Sequence, residues 1–146
     1  MSVKDIMTPE PACCKADSTI QEVAKLMAEM DCGEIPVVDA NGRVQGVVTD
    51  RDICCRAVAQ GANCASVPIS EVMSSPAITV TPETSIQDCC AVMEEHMIRR
   101  VPVVDQNGCC CGIVSQADFA TKTDGGVVDE LVREISTPSH GSANLQ

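Results

Sequence analysis

A sequence that repeats at a fixed period folds as copies of one unit, and this chain repeats. Laid on itself with Val3 on Ile69, positions 3–53 match 69–119 without a gap. Met7 falls on Met73, Ile20-Gln21 on Ile86-Gln87, and Met27 on Met93. Pro36-Val-Val-Asp39 falls on Pro102-Val-Val-Asp105, Asn41-Gly42 on Asn107-Gly108, and Gly46 on Gly112. Thr49 then falls on Ser115 and Asp52 on Asp118. A period of this length marks a supersecondary unit that cannot bury its apolar face alone, so two copies must pack together.

Each copy reads as the same string of elements. An apolar segment at 12–15, and again at 77–81, is predicted as a strand. Ser18-x-x-Gln21 and Thr84-x-x-Gln87 carry the capping-box pattern of a helix start. The helices that follow put Ile20, Val23, Ala24 and Met27 on one face, and Ile86, Cys89, Cys90, Met93 and Met97 on the other copy's equivalent. Ile35-Pro-Val-Val38 and Val101-Pro-Val-Val104 are short apolar strands. Asn41-Gly42 and Asn107-Gly108 are hairpin turns, because Asn-Gly readily takes positive φ. A second strand (44–48, 110–114) and a second helix opening at Thr49 or Ser115 complete each copy. The order β-α-β-β-α gives an α+β class with helices covering a sheet face. The predicted boundaries are 1–66 for the first repeat, 67–124 for the second, and 125–146 for a helix near 127–135 with a polar, disordered tail.

Composition narrows the function. The chain of 146 residues has no Trp or Tyr and one Phe, so base stacking on nucleic acid lacks its side chains. A net charge of −11 repels phosphate backbones, so nucleic acid is excluded as a general partner. No apolar run reaches the roughly 18 residues that a membrane span needs, and the start lacks a secretion signal. The expectation is a cytoplasmic protein that spans no membrane.

With these residues in view, the chain resembles the CBS (cystathionine β-synthase) domain family. Asp5-Ile-Met-Thr, Ile35-Pro-Val-Val-Asp39 and Gly46-Val-Val-Thr-Asp-Arg-Asp52 are similar to one CBS motif. Val72-Met-Ser, Arg100-Val-Pro-Val-Val-Asp105 and Gly112-Ile-Val-Ser-Gln-Ala-Asp118 are similar to a second. The resemblance covers about 3–123. It implies a stand-alone, pseudo-two-fold Bateman-type module with two clefts for AMP, ADP, ATP, S-adenosylmethionine or NAD-type ligands, and association into a homodimer.

Thr49-x-x-Asp52 stands where a strand ends and a helix begins, a place where backbone N–H groups and a hydroxyl suit a phosphate oxygen. The resemblance assigns ribose to Asp52 and Asp118, and the phosphate or ribose edge to Thr49 and Ser115. It lays adenine near Ala12, Ile35 and Pro36, or near Ile78, Val101 and Pro102. Arg51, Arg99 and Arg100 are the candidate phosphate cations, since guanidinium groups pair with phosphate oxygens. Thr-x-x-Asp is equally a plain helix cap, and both uses can share the same atoms. The arginines can equally be solvated surface charges. Arg99-Arg100 stand where the first copy has Gly33-Glu34, and Asp50-Arg51 where the second has Gln116-Ala117, so the two clefts are not equivalent.

The eleven cysteines are odd in number and often adjacent, which in a reducing compartment reads as thiols rather than a disulfide scaffold. Cys89 and Cys90 match Val23 and Ala24, Cys14 matches Val80, Cys32 matches Ile98, and Cys110 matches Val44, all as small buried hydrophobes. Cys54 and Cys55 follow the Asp52 motif on its helix near Arg56; burial is the simpler expectation, an activated thiol the other reading. Cys109 and Cys111 match Arg43 and Gln45 and are expected to face solvent. No Cys-x-x-Cys is present and neither histidine is at ligand spacing to a cysteine pair, so no metal site is expected. Neither a Ser-His-Asp or Cys-His set nor a Gly-x-x-x-x-Gly-Lys loop occurs, so catalysis is not expected and no cofactor is required. The leading expectation is a regulatory sensor of an adenine nucleotide, AMP or ATP first, signalling to an unidentified protein partner. The alternative is a thiol-responsive interaction module independent of nucleotide.

Overall fold

The structure, a computed structural model, describes residues 1–122; the helix and tail expected beyond 124 lie outside the described residues. The strands are β1 (Thr8–Pro9), β2 (Cys14–Lys15), β3 (Glu34–Val38), β4 (Val44–Thr49), β5 (Arg100–Val104) and β6 (Cys110–Ser115). The helices are α1 (Ile20–Met30), α2 (Asp50–Arg56), α3 (Ile86–His96) and α4 (Gln116–Lys122). The class is α+β, as the repeat predicts. One three-stranded sheet has the order β2-β3-β4, the other β1-β6-β5.

The chain divides into two compact units, each built from parts of both copies. One combines Pro11–Ala77 with Asn107–Cys110; the other combines Met1–Glu10 and Ile78–Gln106 with the described residues from Cys111 on. Each unit therefore takes its leading segment from the other copy. Val3 N–H donates to the Thr84 carbonyl at 2.8 Å and Lys4 N–H to that of Pro82 at 3.0 Å. At the matching positions of the second copy, Ile69 N–H donates to the Ser18 carbonyl at 2.7 Å and Ser70 N–H to that of Ala16 at 3.1 Å. Val3 and Ile69 are both fully buried by this docking.

Glycine makes the exchange possible. A Cβ on Gly46 would lie 2.6 Å from the Ser74 carbonyl oxygen, and one on Gly112 would lie 3.1 Å from that of Thr8. With hydrogen in that place, Val47 and Ser74 exchange both backbone hydrogen bonds, at 3.0 and 2.8 Å. In the other unit β1 pairs antiparallel with β6, Thr8 opposite Ile113 and Pro9 opposite Gly112.

Local chemistry shifts two predicted features. The helix caps are Thr19 with Glu22 and Ser85 with Asp88, one residue later than predicted from Ser18 and Thr84. Ser18 and Thr84 are occupied otherwise: their hydroxyls accept from Lys15 and Thr81 N–H, closing the preceding turn. The strand predicted at 12–15 shrinks to Cys14–Lys15, and that at 77–81 to a single parallel bridge between Val80 and Val103. Gly42 and Gly108 take φ of +84° and +81°, as the hairpin turns require.

Each unit has its own core. Ile20, Val23, Met27, Ile35, Val37, Val48, Ile69 and Val72 fill one, while Ala24 is only half-buried. Val3, Ile6, Ile86, Cys89, Met93, Val101, Val114 and Phe119 fill the other. Substituting Gly46→Ala forces backbone against backbone and should cost about 2 kcal/mol, within the overpacking range. Gly112→Ala meets the flexible Met7 side chain first and should cost less. Urea unfolding of the two variants checks the order.

Candidate functional site

Thr49 and Asp52 form a reciprocal cap at the start of α2. The Thr49 hydroxyl accepts the Asp52 N–H at 3.0 Å, and Asp52 Oδ2 accepts the Thr49 N–H at 3.0 Å. Asp52 Oδ1 then faces Arg56 Nε at 3.6 Å. Arg56 Nη1 donates to the Val72 carbonyl at 3.2 Å, on the docked leading segment. In the second copy Asp118 Oδ2 accepts the Ser115 N–H at 2.8 Å and the Ser115 hydroxyl at 3.2 Å. Its Oδ1 is 3.7 Å from Lys122 Nζ, which donates to the Ile6 carbonyl at 3.0 Å. Arg56 and Lys122 are equivalent positions under the repeat, as are Ile6 and Val72. The arrangement is one device built twice: carboxylate, helix cap, cation, and a carbonyl of the leading segment.

Sequence reasoning names Asp52 and Asp118 but misses Arg56 and Lys122. The gap-free alignment ends at 119, so Lys122 lies just outside it, although both cations stand one turn after the aspartate.

The two carboxylates differ in access. Asp52 is 4% exposed and Thr49 3%, whereas Asp118 and Ser115 are half-buried. Ile35 and Val101 have no exposed surface and belong to the two cores, with Pro36 and Pro102 buried beside them. Their side chains line no open surface; Ala12 and Ile78 are half-buried. Arg51 is exposed on α2. Arg99 is exposed and Arg100 half-buried, and the Arg99 carbonyl accepts the Gln116 N–H at 2.8 Å. That bond holds the arginine pair beside the Ser115–Asp118 cap. The first copy makes the same bond from Asp50 N–H to the Gly33 carbonyl at 3.0 Å, and there the neighbour is Glu34, 3% exposed.

Burial divides the cysteines. Cys14, Cys89 and Cys90 are buried, as predicted, whereas Cys32 and Cys110 are only half-buried. Burial pushes the Cys14 and Cys89 thiols up to about 12. Cys54 and Cys55 are exposed, contrary to expectation, because Asp52 and Ala57 take the inward face of α2 and its end. Cys111 is not solvent-facing but packs against a core, its thiol donating to the Val103 carbonyl at 3.5 Å. Cys109 is half-buried, its thiol on the Asn41 carbonyl at 3.3 Å. The β6 tip departs from simple alternation because Gly108 and Cys110 hydrogen-bond Val44 and Gly42, which covers a second side of it. Among the described residues no group of three or more His, Cys, Asp or Glu side chains is placed to hold a metal ion. No helix among them is long and apolar enough to cross a membrane.

Two outcomes follow from this geometry. Arg56→Met should lower unfolding free energy by about 1 kcal/mol, the scale of one hydrogen bond plus a half-exposed ion pair. Arg51→Met should stay within about 0.5 kcal/mol in the same urea titration. Cys14 and Cys89 ionise in the unfolded chain near pH 9 and in the folded one near 12. The unfolded state thus holds fewer protons in that window, and stability should fall as pH rises through it. Urea midpoints at pH 8 and pH 10.5 measure the fall, and Cys89→Val should lessen it.

The geometry has known counterparts. The CBS domain family matches residues 3–57 and 69–123. CBS domain-containing protein YhcV of Bacillus subtilis is 42% identical over 97% of this chain and 91% of its own length. Hypoxic response protein 1 of Mycobacterium tuberculosis is 32% identical over 94% of this chain and 95% of its own. A crystal structure of Hypoxic Response Protein I, with two coordinated zinc ions, superposes with a TM-score of 0.78, covering 85% of this chain and 100% of that one. The CBS domain pair of protein MJ0100, in complex with 5′-methylthioadenosine and S-adenosyl-L-methionine, is 30% identical with a TM-score of 0.74, covering 82% of this chain and 93% of that one. Two family matches in register, on two copies of one cap-and-cation device, mean that this chain belongs to the CBS domain family as a tandem pair.

Proposed function

We propose that this CBS pair is a regulatory, non-catalytic module that binds an adenosine-bearing ligand and passes the signal on through a change in conformation or assembly. The observation that carries the reading is the duplicated Thr49–Asp52 and Ser115–Asp118 arrangement, a hydroxyl and a carboxylate held together at a strand–helix junction. A carboxylate oxygen keeps acceptor capacity beyond its cap bond, enough for a ribose diol. Support comes from the MJ0100 pair, whose two crystallised ligands both contain adenosine.

The second copy is the better place for a phosphate. Asp118 is the more open carboxylate, and Arg99 and Arg100 are tethered next to its cap. The first copy has the buried Glu34 in the position of Arg100, so it offers no cation there for a phosphate. An AMP-type or ATP-type ligand therefore belongs to the Ser115–Asp118 side, with Val101, Pro102 and Ile78 meeting adenine chiefly through backbone. The Thr49–Asp52 side, with Ala12, Ile35, Pro36 and Arg51, suits an adenosine without a phosphate charge. A homodimer is part of the proposal, as the state whose assembly the ligand changes.

The test is calorimetric titration of the reduced chain with AMP, ADP, ATP, S-adenosylmethionine and adenosine. Binding of at least one, weakened more than tenfold by Asp118→Ala in a variant that still unfolds cooperatively, is the expected result. Arg100→Ala should weaken AMP about tenfold, the worth of a charge-assisted bond, and leave adenosine nearly unchanged. No heat with any of the five, and no thermal shift at millimolar ligand, would overturn the reading. Light scattering with and without the bound ligand reads the assembly state.

A further inference from the structure

The ladder between β1 and β6 runs from Thr8 opposite Ile113 to Pro9 opposite Gly112. It continues with Glu10 N–H on the Cys111 carbonyl at 3.2 Å. Cys13 follows three residues after Glu10, and Cys110 immediately precedes Cys111. Both cysteines belong to the same compact unit. The Cys13 thiol donates to the Pro11 carbonyl at 3.4 Å. The Cys110 thiol hydrogen-bonds the Cys13 sulfur, and this contact is the largest influence holding the Cys13 thiol below its ordinary range. Burial and the neighbouring Cys14 oppose it, and the Lys15 charge adds to it. Lys15 is itself fixed, its Nζ donating to the Asp39 carbonyl at 3.0 Å.

From this geometry we infer that Cys13 and Cys110 are a modification site, a dithiol that a hydroperoxide converts to a reversible disulfide. Cys13 is the reacting sulfur. It lines an open pocket of about 500 Å³, together with Lys15, Ser18, Glu22, Lys25 and Leu26, through which a small oxidant reaches it. Cys110 is the resolving thiol, already in contact, so the sulfurs need only close from hydrogen-bond range to the S–S bond length of about 2 Å. Other nearby thiols are committed elsewhere. Cys14 is buried and held protonated, Cys109 is on the Asn41 carbonyl, and Cys111 is on that of Val103.

The chemistry balances in two steps. The Cys13 thiolate attacks one peroxide oxygen, the O–O bond breaks, and the leaving alkoxide or hydroxide takes a proton to give an alcohol or water. Cys13 is then a sulfenic acid. Cys110 sulfur attacks Cys13 sulfur, the S–O bond breaks, and hydroxide departs as water with the Cys110 proton. Two thiols and one hydroperoxide thus give one disulfide, one alcohol or water, and one further water. A dithiol reductant reverses it by exchange. The inference does not rest on the nucleotide reading, because neither cysteine belongs to either aspartate cap.

The full-length reduced protein, treated at neutral pH with one equivalent of hydrogen peroxide and then capped with N-ethylmaleimide, tests it. Tryptic mapping should find residues 5–15 linked to 101–122, with two thiols lost and both restored by dithiothreitol. Cys13→Ser and Cys110→Ser should each abolish the link, while Cys14→Ser, Cys109→Ser and Cys111→Ser keep it. In Cys110→Ser, dimedone should trap Cys13 as sulfenic acid. Should the wild-type protein lose its exposed Cys54 and Cys55 thiols first while Cys13 is recovered fully alkylated, the inference is wrong. A link that persists in Cys110→Ser is equally fatal to it.

Discussion

Backbone laid directly on backbone at two glycines holds this molecule in its arrangement. Gly46 lets the Ser74 carbonyl approach where no Cβ could stand, and Gly112 makes room for Met7 and Thr8. Everything that completes the two units passes through these contacts. The Val47–Ser74 bond pair and the β1–β6 ladder anchor the leading segments, which then bury Val3, Ile6, Ile69 and Val72. Neither repeat fills its core from its own residues.

The aspartate caps tie this architecture to the site. Asp52 and Asp118 each fix a helix start with one oxygen and meet a cation with the other. Those cations reach the carbonyls of Val72 and Ile6 on the docked arms. A ligand that draws on the carboxylate's remaining acceptor capacity competes with the cation, and so bears on how firmly the arm is held. Under the proposed reading, occupancy acts on the arm within each unit. The copies diverge beside the cap, with Arg99-Arg100 at one and Gly33 and the buried Glu34 at the other.

With so few aromatic residues, the cores rely on Val, Ile, Met and thiols of matching size. Cys89 serves as Val23 does in the other copy, whereas Cys90 is buried where Ala24 is only half-buried, and Cys89 shares the raised pKa that burial imposes on Cys14. Cys13 differs because a second sulfur hydrogen-bonds it, with the Lys15 charge adding to the effect. Identical side chains a residue apart thus range from inert packing to a lowered thiol, by environment alone.

Much of this was legible in the sequence, because a repeat in register fixes element order, the apolar faces of α1 and α3, the Asn-Gly turns and the Thr49–Asp52 cap by local chemistry. Spacing alone also determined that two aspartates stand at equivalent strand–helix junctions, with a different charge beside each. Only tertiary structure decided the rest. Whether Ser18 or Thr19 caps α1 depended on which hydroxyl the preceding turn had already taken. Which residues share a core depended on the arm exchange, since a linear reading assigns each segment to its own copy. The Arg56 and Lys122 contacts required the docked arms. The contact of Cys13 with Cys110, far apart in the chain, appeared only in the folded unit that holds both. Local patterns encode propensities along the chain, whereas contacts between distant backbones depend on close approach, which no periodicity records.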